Sequence, residues 1–139
     1  MRIIGLDIGH KRIGVAVSDP LGITAQGLMV ISYEEAAEAL QKLTSLCREY
    51  EVERIVAGLP LHMDGSRGDA VDLVEAFTDK LKSLTALPVT LVDERLSSRA
   101  AERTLIAGGV RRRKRKGVKD MLAVVIILES YLASAGRSD

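Results

Sequence analysis

Residues Arg2 to Leu6 form a short apolar run that stops at Asp7 and Gly9, and Ile13 to Val17 take the pattern up again before Ser18-Asp19-Pro20. A third run of strand character, Ile23 to Ile31, follows the turn signal Pro20-Leu21-Gly22, which predicts three antiparallel strands in a meander. The spacing then becomes helical. Ser32 with Glu35 three residues on has the form of a capping box, and Ala36, Ala39, Leu40, Leu43 and Leu46 predict a first helix to about Tyr50. Arg54 to Leu59, closed by Pro60, suits a buried strand and is too short for a helix, so it is expected centrally in the sheet. Turn formers fill Leu61 to Gly68, after which Val71, Val74, Phe77, Leu81 and Leu84 mark a second amphipathic helix. Pro88 to Val92 predicts another buried strand, ending at Asp93-Glu94-Arg95. Ser97 or Ser98 caps a third helix that ends at Gly108-Gly109. The basic run from Arg111 to Lys116 reads as a loop, and Val118 to Leu132 as an apolar final helix.

The order β-β-β-α-β-α-β-α-α places the chain in the α/β class. It predicts a five-stranded mixed sheet, an antiparallel meander plus parallel strands, with helices on both faces. At 139 residues the expectation is one domain over residues 1–139, with no room for a separate substrate domain. Neither repeats nor linkers interrupt it.

Charge changes the picture more than composition does. The formal net charge is +1, yet Arg111, Arg112, Arg113, Lys114, Arg115 and Lys116 supply six positive charges in one run, which leaves the rest of the chain at −5. Such asymmetry predicts a local anion-binding surface, and a polyanion is its natural partner. Arg and Lys neutralise phosphates without reading sequence, and with no Trp, three Tyr and one Phe the chain offers few platforms for stacking bases. Cys47 is the single cysteine and falls in an apolar stretch, so core packing is expected for it. No apolar run approaches the roughly 20 residues of a membrane span, and the N-terminus lacks the features of a signal peptide. A cytoplasmic protein without membrane partners is expected.

Three acidic sites end segments that should meet at the sheet centre: Asp7 after the first strand, Asp93-Glu94 after the last, and Asp120 in the first turn of the final helix. Clustered carboxylates raise one another's pKa unless cations neutralise them, so the set asks for a hard ion. Mg2+ or Mn2+ suits it; zinc does not, for want of a Cys/His set. Two such ions about 3.5–4 Å apart can activate water and stabilise the leaving oxygen in phosphodiester hydrolysis. Only one of Asp93 and Glu94 should face the metals, since neighbouring strand residues point to opposite faces. Taken singly, each carboxylate has a plainer reading as a turn residue or a helix-entry charge. Gly5, Gly9 and Gly14 bracket Asp7, where backbone can approach a ligand phosphate closely. Lys11 and Arg12 at the hairpin tip are candidates for the nucleic-acid backbone. His62, Ser66 and Arg67 are candidates for substrate contact, or for surface and capping roles. No Ser-His-Asp or Cys-His nucleophile set can be assembled.

The segment Gly5-Leu6-Asp7-Ile8-Gly9-His10-Lys11-Arg12-Ile13-Gly14-Val15-Ala16-Val17-Ser18-Asp19 resembles the first motif of the YqgF family, also called RuvX. Gly58-Leu59-Pro60-Leu61 through Asp64-Gly65-Ser66 is similar to its second motif, and Asp93-Glu94-Arg95-Leu96-Ser97-Ser98 with Ala101 to its third. The basic run leading to Asp120, Ala123 and Ile126-Ile127-Leu128 is similar to its last. Lys119, where the family usually has an apolar residue, and Val124, in place of an alanine, are departures that spare every carboxylate. The resemblance implies an RNase H-like fold and a cytoplasmic nuclease that matures the 5′ end of pre-16S rRNA in ribosome biogenesis. It implies as the alternative a Holliday junction resolvase acting on four-way DNA in recombination and repair, because the fold and acidic positions are similar to those of the RuvC resolvase, with RNA processing the first choice. By that analogy Glu94 joins Asp7 and Asp120 as catalytic and metal-holding residues, with Asp93 as the alternative ligand. Lys11, Arg12, Arg95 and the 111–116 run then hold structured RNA or branched DNA, in a monomer or homodimer and with a pre-ribosomal particle as a further partner.

Two rivals stand beside this reading. An Asp-x-Gly hairpin also opens the sugar-kinase and actin-like ATPase fold, but that fold needs two related domains and this chain has room for one. The other rival is an RNA-binding ribosome-assembly factor whose acidic cluster is vestigial.

Overall fold

A computed structural model of the chain describes residues 2–95 and 112–137, with the side chains of the last helix described over 120–134. The strands are β1 (Arg2–Ile8), β2 (Arg12–Ser18), β3 (Ala25–Ser32), β4 (Val52–Leu59) and β5 (Val89–Asp93). The described helices are α1 (Ala36–Glu49), α2 (Asp69–Thr85) and α3 (Arg112–Arg137). One mixed sheet has the order β3-β2-β1-β4-β5, so β1 is the central strand and β4 its neighbour. β1 runs antiparallel to β2, and β2 to β3, whereas β4 is parallel to both β1 and β5. The meander and the parallel pair are those that the pattern predicts.

Side-chain alternation divides the sheet into two faces. Ile4, Leu6 and Ile8 of β1, Ile13 and Val15 of β2, and Ile55 and Ala57 of β4 face one side, against Leu40 and Leu43 of α1 and Val74, Phe77 and Leu81 of α2. On the other side Ala16 and Val56 meet Val124, Ile127, Leu128 and Leu132 of α3. Helices thus cover both faces, and the odd-numbered positions of β1, Asp7 among them, belong to the α3 side. Cys47 is buried in the first cluster, as expected of a core residue.

Several local expectations are corrected. α1 starts at Ala36 with Glu35 as N-cap and no side-chain cap bond, because Ser32 is still the last residue of β3. Leu84 is 56% exposed; the buried stripe of α2 runs instead through Thr78, whose hydroxyl is satisfied by the Val74 carbonyl at 2.8 Å. β5 is an edge strand among the described residues and is half-exposed, rather than a buried one. The basic run, expected as a loop, is helical from Arg112 onward: Arg and Lys are good helix formers, and the apolar residues that follow anchor the same helix on the sheet. Asp120 therefore lies well inside α3 rather than in its first turn, which removes a favourable helix-dipole role for it. Arg111 and the third helix expected between Ser97 or Ser98 and Gly108-Gly109 lie outside the described residues.

Candidate active site at the centre of the sheet

Register brings the chemistry together. Asp7 pairs with Gly14 on β2, while Leu6 pairs with Ala57 on β4, so the next position along β4, Gly58, runs beside Asp7. Gly58 in turn pairs with Val92 of β5. Val92 packs on the α3 side, so one alternation further along the chain Glu94 points to the face of Asp7, and Asp93 does not. The Glu94 carboxyl lies across Gly58 and is hydrogen-bonded to the carboxyl of Asp7.

Burial, followed by the charge of Asp7 and that hydrogen bond, pushes Glu94 up to about 8 from an ordinary value of 4.5. Desolvation and a like charge act in the same direction on an acid, so Glu94 keeps a proton that it donates toward Asp7. Asp93 goes the opposite way. Arg95 holds its carboxyl below the usual range, through bonds from the Arg95 N–H at 3.0 Å and from Nε at 2.9 and 3.1 Å, with Nη2 at 2.7 Å. Both partners are substantially exposed and screened by solvent, so this contact orients more than it stabilises. Arg95 Nη1 also reaches the Met63 carbonyl at 3.4 Å, tying the end of β5 to the 61–68 loop. Arg95, a candidate for nucleic acid, is thus committed to Asp93 and that loop. His62 of the same loop packs against Gly68, and Arg67 pairs with Glu75.

The third carboxylate arrives on α3. The Asp120 carbonyl lies 3.0 Å from where a side chain at Gly14 would begin, and Leu128 sits as closely over Gly5. These two glycines admit a helix to the sheet, and Gly14 also faces the cleft beside Asp7. Asp7, Gly9, His10, Lys11, Arg12, Gly14 and Asp120 line one cleft of about 460 Å³. Asp120 Oδ2 is 3.3 Å from Arg12 Nη2. Among the described residues no three acidic, His or Cys side chains converge as a ready-made ion cage: Asp7 and Glu94 meet, and Asp120 shares the cleft while paired with Arg12. The donors are all carboxylate oxygens, which suits hard divalent ions, and the proton shared by Asp7 and Glu94 relieves the same like-charge repulsion that a cation would.

One residue of this region gives no signal in the sequence. Tyr33, just beyond β3, donates its N–H to the Lys11 carbonyl at 3.0 Å and its hydroxyl to the Gly9 carbonyl. Its buried ring lies 6.5 Å from that of Phe77. Tyr33 thereby clamps both sides of the hairpin tip that carries Lys11 and Arg12, a contact across 24 residues that no local pattern foretells.

Residues 1–134 match a family model described as RuvX, Holliday junction resolvase. A protein of Desulforamulus reducens is 48% identical over 137 residues, covering 99% of this chain and all of its own. One from Geobacillus sp. strain WCH70 is 50% identical over 136 residues, covering 96% of this chain and 99% of its own. Both are provisionally named as pre-16S rRNA nucleases. Thermus thermophilus RuvC, solved with a Holliday junction substrate, superposes with a TM-score of 0.64 at 14% identity, covering 98% of this chain and 96% of that one. The fold is therefore RNase H-like, as that of the resolvases is.

Proposed function

The chain belongs to the RuvX family, and from that premise we propose that it is a divalent-metal-dependent nuclease that processes the 5′ end of pre-16S rRNA in ribosome biogenesis. The observation that carries the reading is the hydrogen-bonded contact of Asp7 with a half-buried, proton-retaining Glu94 beside the central strand. Holding two partly desolvated carboxylates against each other is costly for a fold, and the arrangement makes sense as a seat for cations. The names given to relatives about half identical in sequence support RNA as the substrate.

Asp7, Glu94 and Asp120 would hold the ions, Mg2+ or Mn2+, in a two-metal arrangement. Ions bound there would supply Lewis acidity for activating water and for stabilising the leaving oxygen of a phosphodiester. With a cation in the neutralising role, Glu94 would release its proton to solvent and serve as a carboxylate ligand. Lys11 and Arg12 lie at the mouth of the cleft and hold substrate phosphate. Arg112 to Lys116 occupy the same helix as Asp120, beginning about 12 Å away along its axis, eight residues at about 1.5 Å each. The basic run thus grips the backbone flanking the scissile bond, with Arg95 buttressing the opposite side of the site. Recognition is of shape and backbone, suited to structured RNA. Among the described residues no helix is long and apolar enough to cross a membrane, and the enzyme works in the cytoplasm on pre-ribosomal RNA.

The test is cleavage of a labelled pre-16S rRNA 5′ leader and of a four-way DNA junction, each with Mn2+, with chelator and with the Asp7→Asn variant. Cutting of the leader that needs both metal and Asp7 is expected. Cutting confined to the junction would transfer the activity to the resolvase reading, which the family description favours. Binding without cutting would leave an RNA-binding assembly factor.

A further inference from the structure

The guanidinium of Arg12, a phosphate contact in the proposed nuclease, is already engaged. Its Nη2 lies 3.3 Å from Oδ2 of Asp120, inside the cleft that both residues line with Asp7. The two backbones behind this pair are fixed. The Arg12 carbonyl accepts the Gly9 N–H at 2.8 Å, Arg12 is in register with Ser32 of β3, and Tyr33 clamps Gly9 and Lys11 on either side. Asp120 is seated by main-chain contact with Gly14. Only the side chains are free to choose partners, and the Arg12 side chain is 37% exposed on a long flexible stem. A divalent ion beside Asp120 would set two positive charges within a few ångströms of the guanidinium, in a partly desolvated cleft where repulsion is poorly screened.

We propose that Arg12 is the resident counter-ion of Asp120 in the metal-free protein, released when a divalent cation enters the cleft and thereby freed to take a substrate phosphate. The proposal rests on the reading of Asp7, Glu94 and Asp120 as the ion-holding set and adds a coupling to it. Metal and nucleic acid bind cooperatively because one arginine leaves the first site to serve the second. By linkage the effect is reciprocal, so nucleic acid that draws Arg12 away raises the affinity for metal.

The experiment measures Mn2+ binding to the full chain without nucleic acid, by the paramagnetic resonance of free Mn2+, for the native protein, Arg12→Gln, Arg12→Lys and Asp7→Asn. Thermal unfolding would verify that each variant is folded. Arg12→Gln removes the competing cation and is expected to bind Mn2+ about fivefold more tightly, on the scale of an exposed ion pair. Arg12→Lys keeps the charge and stays near the native affinity. In a second arm, anisotropy of a labelled four-way DNA junction is read in Ca2+ and in chelator; Ca2+ should improve binding by the native protein more than by Arg12→Gln. Unchanged or weaker Mn2+ affinity in Arg12→Gln, with Asp7-dependent binding intact, would overturn the handover alone. Absence of any Asp7-dependent Mn2+ binding would overturn the ion-holding reading and the handover with it.

Discussion

A side chain on Gly58 would overlap Oε2 of Glu94 and begin 2.8 Å from Cδ1 of Ile127, so Glu94 reaches Asp7 across β4 only because residue 58 has none. Gly58→Ala must therefore move a carboxylate, a core isoleucine of α3, or both. Overpacking of this kind costs about 1–3 kcal/mol. The expected outcome is a folded protein with a lower melting temperature and a loss of cleavage of at least about tenfold, since small displacements of catalytic groups cost far more in rate than in stability. Native-like cleavage by Gly58→Ala would show that Glu94 does not need this path.

Because Glu94 titrates at about 8 when folded against an ordinary 4.5, the folded state binds its proton more tightly than the unfolded state does. The stability it contributes is then complete below the unfolded value and is lost as pH rises toward 8. In chelator the native protein should lose stability over that window more steeply than Glu94→Gln, which has no proton to release. Denaturant unfolding of both proteins at several pH values reads this directly, and parallel profiles would contradict it. Added Mn2+ should flatten the native profile, the ion replacing the proton.

Tyr33→Phe deletes one hydrogen bond and leaves the packing on Phe77 in place. A loss near about 1 kcal/mol in unfolding free energy is expected from that bond. The larger effect should be on substrate binding, because the freed Gly9 carbonyl loosens the tip that presents Lys11 and Arg12. Cleavage kinetics should show a KM raised severalfold with kcat less affected; an unchanged KM would confine Tyr33 to folding.

Replacing Arg112, Arg113, Arg115 and Lys116 with glutamine should weaken nucleic-acid binding and flatten its dependence on salt. The logarithmic slope should fall by about 0.7–0.9 for each phosphate that is no longer neutralised, while unfolding changes little. An unaltered slope would remove the basic run from the interface.

The sequence disclosed the core of this architecture because its strands alternate and its first two helices repeat at helical spacing, both of which depend on neighbours in the chain. It also pointed to Asp7, to the pair Asp93-Glu94 and to Asp120, at the ends of apolar runs and at an expected helix start, while the choice of Glu94 within the pair came only from the resemblance to the resolvases. Its errors arose where tertiary contacts overrule local preference. The Arg112–Lys116 stretch looks like a solvated loop by charge alone, yet continues a helix whose anchor is the distant cluster of Val124, Ile127 and Leu128. Ser32 looks like a cap but is spent in pairing with Arg12. The partnership of Asp93 with Arg95 was equally hidden, because alternation says only that one of two adjacent acids must turn away.

The contact of the Asp120 carbonyl with Gly14 and of Leu128 with Gly5 has a consequence for how such a protein can vary. The separation between β2, whose Gly14 pairs with Asp7, and the helix bearing Asp120 is set at position 14 by main chain meeting main chain. Substitutions in the hydrophobic layer on the α1 and α2 side of the sheet do not touch this contact and act first on stability. A chain built this way can drift far in its packing residues and still keep its carboxylates in gauge, whereas adding one methyl at position 14 would reset the spacing at once.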